Sequence, residues 1–151
     1  MSTMTDEQWE QQVEWRVARA HELHEGGFNC AQAVSCACAD LVGVNEKVVF
    51  KMTEGLGGGM GGFTETCGAI SGGCAILGFA ISDGPRNPKT KGATYKVVRQ
   101  LVARFGEQNG STLCAVIKGR TGGPVLRSCP DCVEDATRMT LALMRESDIA
   151  G

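Results

Sequence analysis

The sequence predicts an all-α fold, a single-domain bundle of about five to seven helices around a buried central helix rich in small residues. Three observations predict it. Apolar residues recur at helical spacing along most of the chain, while strand-like alternation is thin. Capping side chains stand just ahead of those periodic runs. The 151 residues hold 21 Gly but only 5 Phe, 2 Trp and 1 Tyr, so the core must be aliphatic and packed through small side chains. That length is one domain's worth, 1–151, long enough to bury a core without disulfide staples.

The first helix opens on a capping box, Thr5 to Gln8, and carries Trp9, Val13, Val17, Ala20 and Leu23 on one face. Gly26-Gly27 ends it. Asn29 caps a second helix with Val34, Ala37, Cys38 and Leu41 on its face and Gly43 as the stop. Asn45 opens a third, shorter helix bearing Val48, Val49 and Met52. Then six of eight residues from Gly55 to Gly62 are glycine, which excludes regular structure and reads as a loop.

Thr64 to Ser82 is apolar on all sides, as expected of the central helix. Gly68 and Gly72, Ala69 and Gly73, and Cys74 and Gly78 are spaced four apart, forming ridges that admit close neighbours; a tight homodimer is compatible with them. The run is too short to span a bilayer. Asp83 to Pro88 is a loop. Lys89 to Phe105 is amphipathic through Thr94, Val97, Val98, Leu101, Val102 and Phe105, with Gly106 as its stop. Ser111 caps a short helix through Ile117, Thr121 to Pro124 is a loop, and Ser128 caps a last helix to about Glu146 with Val133, Ala136, Thr140, Leu141 and Met144 on one face.

Composition narrows the function. Hydrophobic residues make up 42%, charged residues 21%, and the net charge is −2, so no electrostatic footprint for nucleic acid or an anionic membrane exists. Met1 to Glu10 is polar and acidic, with neither a secretory pattern nor a twin-arginine pair, so a cytoplasmic location is expected. There the 8 cysteines read as metal ligands or reactive thiols rather than as a disulfide framework.

Their positions are informative. Cys30 follows Asn29, Cys67 follows Thr66 after the glycine loop, Cys114 lies three residues past Ser111, and Cys129 follows Ser128. All four fall in the first turn of an expected helix, where free N–H groups and partial positive charge favour thiolate, the form that binds metal or attacks a disulfide. Cys36 and Cys38 lie mid-helix among alanines and read as small core hydrophobes. Cys74, seven residues beyond Cys67, is either an auxiliary ligand or a buried hydrophobe. Cys132 completes Cys129-Pro130-Asp131-Cys132, as a further ligand or a resolving thiol.

Several patterns are decoys. The Cys-Pro-Asp-Cys tetrapeptide resembles a glutaredoxin motif but opens the last helix, with no strand before it. Gly57, Gly59 and Gly62 match a dinucleotide fingerprint, with Asp83 near the expected acid, but the preceding segment reads as a helix. No Gly-Lys-Ser/Thr follows for a phosphate loop. His21 and His24 fit no metalloprotease or di-iron spacing and read as an exposed helix end. The glycine loop has two readings: Gly57, Gly58, Gly59, Gly61 and Gly62 offer successive N–H groups to an anionic cofactor, or they merely permit tight packing.

Gly27-Phe28-Asn29-Cys30-Ala31-Gln32-Ala33-Val34, the run Gly57 to Gly62, Glu65-Thr66-Cys67-Gly68-Ala69-Ile70-Ser71-Gly72, Cys114 and Cys129-Pro130 occur in that order. This resembles the C_GCAxxG_C_C family of redox-active proteins over about residues 15–145, and is similar also to the iron–sulfur portion of split-Soret cytochrome c, without a Cys-x-x-Cys-His for haem. The resemblance implies a mostly helical domain with an iron–sulfur or similar metal centre. It maps the family's cysteines onto Cys30, Cys67, Cys114 and Cys129; Gly73-Cys74-Ala75-Ile76-Leu77-Gly78 fits the literal string of the family name, whereas Cys67-Gly68-Ala69-x-x-Gly72 fits a Cys-Gly-Ala-x-x-Gly form, and the Glu65-Thr66 prefix and the glycine loop favour Cys67.

The expectation is thus a redox protein holding an iron–sulfur cluster through Cys30, Cys67, Cys114 and Cys129, with Cys74 or Cys132 as auxiliaries. It would serve electron transfer with a redox partner protein, or redox sensing. The alternatives are a thiol–disulfide oxidoreductase using Cys129 and Cys132, and a zinc-binding structural domain.

Overall fold

The computed structural model describes residues 3–149. Among them lie seven α-helices in one bundle and a single isolated antiparallel bridge, Thr66 to Leu113. Helix α1 spans Asp6–Glu25, α2 Cys30–Cys38, α3 Glu46–Thr53, α4 Gly68–Ile81, α5 Lys91–Asn109, α6 Cys114–Ile117 and α7 Cys129–Glu146. None of these is long and apolar enough to cross a membrane.

Four helix starts follow from local chemistry. Thr5 and Gln8 close a reciprocal capping box on α1, and Asn29 and Gln32 close another on α2. Asn45 accepts from two backbone N–H groups of α3, and Ser128 accepts from Asp131 on α7. Each cap satisfies donors that a helix end leaves free, at about 1 kcal/mol.

Three boundaries differ from those the spacing predicts. Helix α4 begins at Gly68 rather than Thr64, because Glu65 to Cys67 is drawn into the bridge with Thr112 to Cys114. Helix α5 runs through Gly106 to Asn109, and Gly110, at φ 85°, ends it. A side chain at Gly106 would press on the Thr112 methyl at 3.3 Å, so that glycine serves packing and not termination. Helix α2 stops at Cys38 and a 3₁₀ turn, Asp40–Val42, carries the chain to Gly43. Ser111 caps no helix; its hydroxyl accepts from Leu113 N–H in a turn.

The most buried helix is α2, not α4. Every residue from Ala31 to Cys38 is buried, and α1, α3, α4 and α7 all pack on it. Helix α4 has one open edge, where Ala75 and Phe79 are exposed. On α3, Val49 and Thr53 face the core while Val48 and Met52 face out, because one turn of helix turns only one side to α2. The small-residue ridge of α4 does what its spacing suggests. A side chain at Gly72 would lie 2.4 Å from the Ala31 carbonyl oxygen, so the α2 and α4 backbones meet there. Gly73 gives similar room to Thr140 of α7.

Ion pairs pin the outer helices. Arg16, 5% exposed, donates to the Asp40 carboxylate at 2.7 Å and to the Ala37 carbonyl at 3.0 Å, closing the C-terminal end of α2. The Asp40 carboxyl is held below the usual carboxylate range by that guanidinium hydrogen bond. His21 and His24 are half-buried rather than exposed, and His21 Nε2 lies 2.9 Å from Glu134 Oε1, joining α1 to α7.

Candidate metal centre

The bridge builds the site. Cys67 N–H donates to the Thr112 carbonyl at 2.8 Å, and Cys114 N–H donates to the Glu65 carbonyl at 2.8 Å. Both segments turn into helices at once, so Cys67 becomes the N-cap of α4 and Cys114 the first residue of α6. Cys30 is the first residue of α2 and Cys129 the first of α7. Four helix starts therefore converge at one pole of the bundle.

Between them lies a cavity of about 330 Å³, many times what one water needs. Cys30, Cys67, Cys114, Cys129 and Cys132 all line it. Cys132, one turn into α7 from Cys129, is buried, whereas Cys129 is exposed. Gly58 and Gly68 form part of the wall, and Phe63, Lys118 and Arg120 complete the lining. Among the described residues, no carboxylate lines it.

The glycines divide. Gly58, at φ 60°, presents its N–H to the Cys30 sulfur. A side chain at Gly59 would lie 2.5 Å from Cys114 Cβ, and one at Gly68 would lie 2.5 Å from Cys30 Sγ. Gly57 lies against Asn29, whose side chain both caps α2 and donates to the Glu54 carbonyl at 3.0 Å. So Gly57 to Gly59 wrap the loop against the cysteines. A side chain at Gly61 would meet nothing within 4 Å and one at Gly62 only the Thr64 hydroxyl, so neither is packed against the cysteines as Gly59 is. That run follows a helix, not a strand, so the dinucleotide fingerprint has no fold to sit in.

Cys74 does not line the cavity. It lies two turns along α4, about 10 Å from Cys67 at 1.5 Å rise per residue, and packs partly buried against the core. Its thiol is pushed up to about 11 by burial alone.

The electrostatics differ from the simple helix-end expectation. Burial raises the Cys30 thiol, against the N–H groups of Gly58 and Ala31 on its sulfur. Burial and the neighbouring Cys67 raise Cys114 as well. The neighbouring Cys132 sulfur, together with burial, drives the Cys67 thiol strongly upward, while Cys67 and Lys118 hold Cys132 down. Helix ends thus favour thiolate here, but desolvation and crowded sulfurs outweigh them.

The cations were the part hidden from sequence reading. Lys118 Nζ donates to the Arg127 carbonyl at 3.3 Å and to Cys132 Sγ at 3.6 Å. Arg120 lies over the Phe63 ring at 4.4 Å, at the edge of the cavity. The signal for Lys118 is its spacing: four residues after Cys114, it shares that residue's helical face.

The donor set is chemically suited to soft metal: five sulfurs, with backbone N–H groups on at least two of them. The sulfurs line a space rather than meet at a point. Among the described residues, no group of three or more His, Cys, Asp or Glu side chains converges to hold one ion.

The chain belongs to the C_GCAxxG_C_C family, described as "Putative redox-active protein (C_GCAxxG_C_C)", whose profile matches residues 28–143. The matched span contains every cysteine of the cavity and leaves all of α1 outside. No curated protein and no solved structure matches the chain.

Proposed function

We propose that the thiol cavity holds an iron–sulfur cluster through Cys30, Cys67, Cys114 and Cys129, with Cys132 as a fifth sulfur, for electron transfer or redox sensing. One observation carries the reading: five cysteines from four separated segments line a single cavity that no carboxylate enters. Four thiolates are the usual holding set for such clusters. A bound cluster would supply a one-electron couple. The rest belongs to the chain. Gly58 and Ala31 direct N–H groups at the Cys30 sulfur and Ala69 at Cys67, which stabilises negative charge on sulfur and raises the potential. Phe63 and the start of α4 form part of the wall, while exposed Cys129 brings one edge of the site to the surface, where a redox partner protein can reach it. The volume of the cavity and the spread of its sulfurs favour a cluster over a single zinc ion.

Anaerobic reconstitution with iron and sulfide tests this. Stoichiometric iron and sulfide with visible charge-transfer absorption is the expected result. Colourless, iron-free protein after reconstitution overturns the reading.

A second reading has its own observation, that Cys67 and Cys132 line the same cavity and each shifts the other's thiol. It makes a thiol–disulfide pair of Cys67 and Cys132, in place of the sequence-adjacent Cys129 and Cys132. Metal-free protein would then reduce a small disulfide, and Cys132→Ser would abolish turnover. Unchanged turnover in that variant rejects it.

A further inference from the structure

Lys118 is a half-buried cation that lines the thiol cavity, and no carboxylate lines it. An ammonium withdrawn from water is costly unless an anion or strong acceptors face it. Its polar neighbours include the Arg127 carbonyl at 3.3 Å and Cys132 Sγ at 3.6 Å. The carbonyl is a fixed anchor, since the Arg127 side chain grips buried Asp135 through two bonds, at 2.9 and 3.0 Å. The Lys118 backbone is fixed as well: its N–H closes the last turn of α6 on the Cys114 carbonyl at 2.9 Å. Both ends of the side chain are thus tied to elements that carry cysteines of the site.

We infer that Lys118 is a positioning residue that serves as the internal countercharge of the site, aimed by the Arg127 carbonyl so that its ammonium favours the reduced form of the cluster. The inference rests on the cluster reading above. One-electron reduction by an external mediator adds one negative charge and moves no proton or bond. A fixed cation beside the sulfurs stabilises that added charge more than it stabilises the oxidised form.

The experiment is a spectroelectrochemical titration of the reconstituted protein, wild type beside K118Q and K118R. At fixed poise, K118Q is expected to shift the reduced-to-oxidised ratio about tenfold toward oxidised, some 59 mV for a one-electron couple. K118R, which keeps the charge, is expected to remain near wild type. A merely structural Lys118 would change loading or stability but leave the potential of the loaded protein where it was. An unshifted K118Q in protein that has taken up its cluster therefore overturns the inference alone. Wild type that takes up no cluster overturns the cluster reading, and the inference with it. Should K118Q fail to load, K118M replaces it. If both neutral variants stay colourless while K118R loads, the charge serves assembly of the site rather than its reduced form, and the inference falls. If K118R is colourless too, it falls.

Discussion

Cys30 and Cys38 open and close the same nine-residue helix, yet their surroundings have opposite character. Cys30 stands where α2 begins, with the N–H groups of Gly58 and Ala31 on its sulfur and a cavity in front of it. Cys38 stands in a dry core, 0% exposed, where burial pushes its thiol up to about 12. Cys36, 1% exposed, is likewise pushed up by burial, to about 11, its sulfur donating to the Glu46 carbonyl at 3.8 Å. The same side chain is a small hydrophobe at one end of a helix and a candidate ligand at the other. What differs is the supply of free backbone donors and open space, both of which helix starts provide and helix interiors do not.

The sharpest way to break the comparison is at the sulfurs themselves. Cys67→Ser is expected to abolish iron binding and visible colour while circular dichroism stays helical. Cys38→Ala is expected to keep both iron and colour, losing only packing. Colour lost equally in the two variants would erase the distinction between the pole and the core.

The α4 glycines sharpen it next. Gly68→Ala places a methyl 2.5 Å from Cys30 Sγ, so its main effect should be on the site, a several-fold fall in bound iron. Gly72→Ala places one 2.4 Å from the Ala31 carbonyl oxygen, against backbone that cannot yield. That change should cost about 1–3 kcal/mol in urea unfolding, or more if α2 and α4 separate. Neighbouring glycines on one ridge are thus predicted to fail by different readouts.

Asn29 links the two regions, capping α2 while holding the Glu54 carbonyl ahead of the glycine loop. Asn29→Ala should cost about 1 kcal/mol in stability and also speed loss of iron to a chelator. A stability loss with unchanged iron release would separate the cap from the site. The smallest effect lies at the far end of α2. The Asp40 carboxyl is depressed by Arg16, so its contribution is present above the unfolded-state pKa and lost as pH falls through the folded one. Unfolding measured between about pH 5 and pH 2 should therefore be less steep in pH for Asp40→Asn, with iron binding near neutral pH untouched.

Local signals were well written in this sequence. The caps at Thr5, Asn29, Asn45 and Ser128 each depend on a side chain and a backbone group within three residues, and each could be read from spacing. That is also why the four helix-start cysteines stood out. What spacing could not show was pairing between distant segments. The bridge of Thr66 with Leu113 delays the start of α4 and sets Cys67 beside Cys114, and neither segment alone alternates like a strand. Gly106 looked like a stop because a glycine after an amphipathic run usually is one; its purpose is clearance for Thr112, some way along the chain. Cys132 looked secondary to Cys129, yet it is the more buried of the two, because Pro130 and Asp131 start α7 so that its next turn faces inward. Lys118 and Arg120 were invisible for the same reason as the bridge. Their meaning lies in what faces them across the cavity.

The central claim is that one cavity, ringed by Cys30, Cys67, Cys114, Cys129 and Cys132, holds the iron. Anomalous diffraction at the iron edge, on crystals grown anaerobically from reconstituted protein, tests it most directly. The account predicts an anomalous peak inside that ring of sulfurs and none beside Cys36, Cys38 or Cys74. A peak elsewhere, or crystals of reconstituted protein with no iron signal, would contradict it.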